Sequence, residues 1–346
     1  MRIKALLAGL LSLLLPWSVQ AADDDAPWTY NFYLENDLFA QTDQNYTNGI
    51  RFSAVSPDID NFLYDPRLPN WVREVNDWFE PFYPVPESRI DEVRRNIVLT
   101  LGQQIFTPED STSTALDLND RPYAAWLYGG VGYHAKTRNK LNSVELNLGV
   151  VGPAALGQQA QDFIHDLRGF DKFQGWDNQI KNEPGLQLVY EHKERSQTKK
   201  HPSGLGLDFI WHGGASLGNV ATYANVGAEL RAGWHLPDDF GTSALRPGGD
   251  NSAPGRRDPR HYGSWGLHGF ISVDGRWVLR DIFLDGNSWR NSHSVSKERL
   301  VGEAAIGVSA IFERWKLSFA RVHRSREFDG QPSGHSYGSL SASYNY

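Results

Sequence analysis

The residues best suited to chemistry gather in two short stretches, one around a histidine and one around a paired asparagine and aspartate. From Gly157 to Arg168, Ala160, Phe163, Ile164 and Leu167 recur at helical spacing, and Gly169 supplies a natural stop. Gln158, Gln161, His165 and Arg168 follow at intervals of three, four and three on a second stripe, with Asp171 just past the glycine. Imidazole exchanges its proton near neutral pH, which makes His165 a candidate general base. The same spacing also suits a histidine on a solvated helix face. In the other stretch, Asn36, Asp37, Asp43 and Thr47 bracket one tight connection. Carboxylate, hydroxyl and main-chain carbonyl oxygens are hard donors that suit Ca²⁺ better than zinc. An Asx-rich turn between two strands would look alike. The chain has no G-x-S-x-G elbow, H-E-x-x-H pair or Walker loop. A serine nucleophile with a remote histidine stays open, since triads are set by geometry.

The elements that must position these groups follow from composition and alternation. Arg2 and Lys4 precede an apolar run from Ala5 to Leu15, and Val19-Gln20-Ala21 offers small residues for cleavage. Residues 1–21 are therefore expected to be a signal peptide, and 22–346 the mature domain. Without the leader, 32 basic residues face 41 acidic ones, an unfavourable balance for nucleic acid. Cysteine is absent, which rules out disulfides and thiol catalysis. The chain carries 12 Trp, 14 Tyr and 17 Phe with 33 Gly, and no later segment is apolar for long enough to form a spanning helix.

At the C-terminus, Tyr346, Tyr344, Ala342, Leu340 and Gly338 alternate with Asn345, Ser343, Ser341 and Ser339. Such a strand suits lipid on one face and a polar lumen on the other. Similar alternation predicts strands near 28–39, 48–56, 96–106, 123–136, 141–151, 185–195, 205–217, 220–236, 264–279, 299–313, 315–327 and 336–346. The fold expected is all-β, a transmembrane antiparallel barrel of about 12 strands with a short helix in an extracellular loop. An even count puts both termini in the periplasm and the motif-bearing connections on the outer rim. The apolar face of the 157–168 helix is expected to pack on the barrel and to aim His165 at a groove. Residues 57–95, with a short helix around Trp71 to Phe79, and residues 237–263 are periplasmic inserts with no assigned chemistry.

Several blocks resemble the outer-membrane lipid A 3′-O-deacylase family. They are Glu35-Asn36-Asp37-Leu38-Phe39, Tyr46-Thr47-Asn48-Gly49-Ile50, Asp120-Arg121-Pro122-Tyr123-Ala124, Val151-Gly152-Pro153, Gln161 to His165 and Gly175-Trp176 to Gln179. The resemblance implies a calcium-dependent esterase on the bacterial surface, acting on lipid A of lipopolysaccharide. By the same resemblance His165 is the base, Asp171 its acidic partner, Asn36 a hydrogen-bond donor to developing charge, and Asp37 and Thr47 ligands of Ca²⁺. The chain departs from the family at Ser113, where a lysine is expected, and Arg121 is the nearest substitute for that charge. The competing expectations are an outer-membrane phospholipase and a non-enzymatic pore or adhesin.

Overall fold

A computed structural model of the chain describes residues 28–37, 45–58, 93–196, 199–241 and 253–346. The expected leader, Asp43 and the helix expected around Trp71 lie outside the described residues. Twelve long strands form the wall: β1 (Thr29–Asn36), β2 (Asn45–Val55), β3 (Arg94–Thr107), β4 (Ala124–Lys136), β5 (Lys140–Val151), β6 (Glu183–Arg195), β7 (Leu205–Gly218), β8 (Ala221–Trp234), β9 (Gly266–Asp281), β10 (Leu300–Phe312), β11 (Trp315–Arg324) and β12 (His335–Asn345). Each is antiparallel to the next, and β12 returns to pair with β1. Lys199–Lys200 adds a two-residue rung beside β7. A closed ring pairs backbone groups between strands, which is the condition that hydrocarbon imposes.

Alternation decides which side chains meet lipid. In β11, Trp315, Leu317 and Phe319 are exposed, whereas Lys316 and Ser318 are buried in the lumen. The interior holds ion pairs that no lipid face could tolerate. Examples are Arg51–Glu145 at 2.7 Å, Arg231–Asp208 at 2.6 Å and Arg324–Glu303 at 2.8 Å.

Both mouths are filled. At the terminal rim the described parts of the connection between β8 and β9, residues 237–241 and 253–263 of the expected insert 237–263, bond to lumen-facing side chains. Asp239 accepts from Arg231 of β8 at 2.6 Å and also pairs with Lys316 of β11. Arg195 of β6 donates to the Asp239 carbonyl at 2.8 Å, Lys136 of β4 to the Ala253 carbonyl at 2.8 Å, and Arg260 to Ser343 of β12 at 3.1 Å. One irregular segment thus reaches strands around much of the ring. At the loop rim a one-turn helix, α2 (Ile282–Asp285), drops Phe283 onto Phe106, with ring centroids 4.1 Å apart. Trp126, Tyr128, Ile180, Val220 and Tyr337 complete that apolar stopper. Arg121 belongs here too, paired with Glu327 at 3.2 Å and lying over the Phe106 ring. Burial would raise the Glu327 carboxyl, yet Arg324 and Arg121 hold it down to about 2. The Arg121 guanidinium is therefore committed to its lumen pair with Glu327.

Candidate functional site

The site builds up on the lipid-facing side of the wall, where cross-strand register sorts outward residues into rows. One row is Phe32, Phe52, Leu101, Gly129 and Leu148. The row above it, toward the loop rim, is Leu34, Ile50, Gln103, Leu127 and Val150. Above that come Asn36, Asn48, Ile105 and Ala125. The wall thus changes from apolar to polar within two steps along a strand, about 7 Å apart per row. Asn36, Asn48, Ile105 and Ala125 occupy lipid-side positions yet are buried. Something covers them.

Part of the cover comes from the connection after β5. Its helix α1 (Gly157–Arg168) lies against β3 and β4. It is seated on Ile105, Tyr123, Ala125, Ala155, Phe173 and Trp176. Gly157 lies so close to the wall that an added Cβ would stand 2.4 Å from Ala125 Cβ. Gln103, a polar residue on a lipid-facing strand position, donates to the Ala155 carbonyl at 2.6 Å and ties wall to loop. Gly157→Val is expected to lift α1 and to abolish turnover while the barrel still folds. Loss of activity with unchanged heat-modifiable mobility on a gel would show this.

The orientation of α1 corrects the sequence expectation. Gly157, Gln161 and His165 are the residues buried against the protein. Phe163 and Leu167, expected to pack on the barrel, are 55% and 73% exposed. The reason is the surroundings: beside a membrane the apolar side of a helix has no cause to turn inward, and the polar side has every cause to.

His165 Nδ1 lies 2.6 Å from the Asp171 carbonyl oxygen. A carbonyl only accepts, so Nδ1 carries the proton and Nε2 is the basic atom. Asp171 thus orients the imidazole through its main chain, while its side chain is exposed. Phe170 and Phe173 meet the imidazole edge-on at 6.0 and 5.7 Å. One turn earlier, Gln161 Oε1 accepts from Trp176 Nε1 at 3.1 Å. That bond fixes the amide orientation and leaves Gln161 Nε2 as a buried donor with no partner among the described residues. Gln161 shares the histidine stripe in the sequence, but only the Trp176 contact marks it as a positioned donor.

At the end of β1, Asn36 stands opposite Asn48, and Asp37 is the residue that follows the strand. Asp37 is completely buried. The β2–β3 register slips between Tyr46 and Asn48, so Thr47 is the extra residue of a bulge; its side chain lies outside the described residues. A bulge takes main-chain groups out of the ladder and re-aims them. Among the described residues no three His, Cys, Asp or Glu side chains gather as a ligand set. A fully buried carboxylate at the end of β1 is a hard oxygen donor of the kind Ca²⁺ prefers. Ser113, at the position of the missing lysine, bonds the Ala115 carbonyl at 3.1 Å. It lines a small cavity with Asp110, Asp117, Asp120 and Tyr123. Burial pushes the Tyr123 hydroxyl up to about 12, with Asp110 and Asp120 adding to the shift.

No curated protein matches the sequence. Among solved structures, LpxR from Salmonella typhimurium superposes with a TM-score of 0.69 at 17% identity, covering 92% of this chain and 100% of that one. The β domain of the Bordetella autotransporter BrkA covers 93% of this chain and 99% of its own at a TM-score of 0.43 and 9% identity, too loose a likeness to support an argument. The family described as "Outer membrane protein LpxR" matches residues 6–346. A twelve-stranded barrel with a lipid-facing outer wall is the fold of an outer-membrane protein, and this chain belongs to the LpxR family.

Proposed function

We propose that the chain hydrolyses the 3′-linked acyloxyacyl ester of lipid A, with the loop rim facing the cell exterior. The observation that carries this reading is the place of His165. It is a buried imidazole of fixed tautomer on a loop helix that packs against β3 and β4 of the outer wall, with Phe170 and Phe173 beside it. A lipid A molecule in the outer leaflet runs its acyl chains beside Leu34, Ile50 and Leu127 and brings its ester linkages to the level of Asn36 and Asn48. A site for a soluble substrate would gain nothing from that address.

His165 Nε2 takes a proton from water, and the water oxygen attacks the ester carbonyl directly. Gln161 Nε2 and the Asn36 amide donate to the oxygen on which charge develops. The imidazolium then returns its proton to the departing sugar oxygen, leaving a free 3′-hydroxyl and the acyloxyacyl acid. Asp37 and the Thr47 bulge would hold Ca²⁺, which when bound supplies positive charge beside the ester carbonyl.

The test is the mass spectrum of lipid A from cells with and without the expressed protein. Loss of the mass of one acyloxyacyl unit is expected. Unchanged lipid A with newly formed lysophospholipid would instead favour the phospholipase reading. The packing of side chains into the lumen at both rims, among the described residues, counts against a pore. Chelation of divalent cations is expected to stop turnover, and added Ca²⁺ to restore it. Full activity in chelator would remove the calcium assignment and leave the histidine assignment standing.

A further inference from the structure

We propose that α1 is itself seated in the membrane, its apolar flank dipping into the acyl layer of the outer leaflet. Substrate then reaches His165 sideways, from within the bilayer, under a helix that the lipid helps to hold.

The segregation around α1 is three-way. At about 100° per residue, the stripe Gly157, Gln161 and His165 faces the wall; Ala160, Phe163 and Leu167 lie roughly 120° to one side, and Asp162 and Asp166 roughly 120° to the other. Phe163 and Leu167 rank among the more exposed large apolar side chains of the protein. On the opposite flank Asp166 pairs with Lys172 at 2.8 Å, both well exposed, as suits a side in water. An isolated exposed leucine needs no explanation, but an apolar flank against one charged flank does.

Continuity names the occupant. The helix starts at the level of Ala125, where Gly157 meets the wall, and Ala160 packs against the same cluster as Leu127 and Val150 of the outward row below, beneath which lies the lipid-facing Leu148. A helix about 10 Å across, laid at that height, straddles the boundary between headgroups and chains. Turning its apolar flank down makes one surface with the barrel's lipid-facing belt. Turning it up would place Leu167 in water and the Asp166–Lys172 pair toward hydrocarbon, at a cost on both sides. The substrate path, though not the seating of the helix, rests on the function proposed above.

The absence of cysteine makes the experiment direct. Single variants Phe163→Cys, Leu167→Cys, Asp162→Cys and Asp166→Cys carry a nitroxide label, with Leu148→Cys as a reference on the lipid wall. The protein is reconstituted in phosphatidylcholine vesicles, and collision of each label with oxygen and with a water-soluble nickel complex is measured. Labels at 163 and 167 are expected to favour oxygen as the label at 148 does, and those at 162 and 166 to favour nickel. Equal nickel access at 167 and 166 would overturn the proposal whatever the enzyme's activity. A second readout concerns turnover. Leu167→Asp is expected to lower the rate on lipid A in vesicles by about tenfold or more, because a carboxylate opposes insertion, while sparing the rate on lipid A in detergent micelles. Equal losses in both would mean that Leu167 acts by holding the helix together, and the membrane-seating proposal would fall.

Discussion

His165→Ala is expected to lower lipid A deacylation by about 10²–10⁴, the usual worth of a positioned general base, with the barrel intact. His165 sits on a loop helix outside the wall and contributes nothing to the strand ladder. Removing it also breaks the contact with the Asp171 carbonyl, so the loop after Gly169 loses one tie but keeps the Phe173 and Trp176 seat. Heat-modifiable gel mobility should match that of the wild type, while product in the lipid A mass spectrum nearly vanishes. Asp171→Asn provides the contrast. Because the carbonyl rather than the carboxylate meets Nδ1, this variant is expected to retain most of the activity. Wild-type turnover by His165→Ala would remove the base from the mechanism, and a collapse in Asp171→Asn would mean that the carboxylate acts during turnover.

The largest stability effect is expected at the opposite end of the lumen. Asp239 is fully buried and answers three cations, Arg231, Lys316 and Arg260. Burial alone would raise its carboxyl, but Lys316, Arg231 and Arg260 hold it well below the usual carboxylate range. Asp239→Ala leaves those charges facing one another, a loss of about 3–5 kcal/mol by the measure of other buried pairs. A lower thermal midpoint and new conductance in planar bilayers are the expected signs that the mouth has opened. The pH dependence has a definite sign. A carboxyl whose folded value lies below its unfolded value stabilises the protein above the ordinary carboxylate range, and that contribution is lost as pH falls toward the depressed value. The wild-type thermal midpoint is therefore expected to fall on acidification, and Asp239→Ala to show a shallower fall. Equal acid sensitivity in the two would place the titrating group elsewhere.

The wall was legible because a strand in a membrane is a local object. Residues at every second position meet lipid, so Trp315, Leu317 and Phe319 against Lys316 and Ser318 declare a barrel strand without reference to any partner. The Gly169 stop and the stripe of Gln161 and His165 were readable for the same reason, each being set by a few neighbouring residues. The insert 237–263 gave no such signal, since the described parts of it, at Asp239, Ala253 and Arg260, are held by Arg195, Arg231, Lys136 and Ser343 on four different strands.

By itself, then, the sequence determined the barrel, the number of its strands, and which short segments carry groups capable of chemistry. Tertiary structure alone decided which way those groups face. The stripe pattern of α1 is compatible with either side turned to the protein, and the rule that apolar residues go inward holds only where water lies outside. Beside a lipid wall the preference inverts. Gln161 and His165 are thereby buried against the barrel, and Phe163 and Leu167 are left looking out. The choice of Asp171 carbonyl over carboxylate, and the pairing of Arg121 with Glu327, likewise depended on distances that no spacing in the chain encodes.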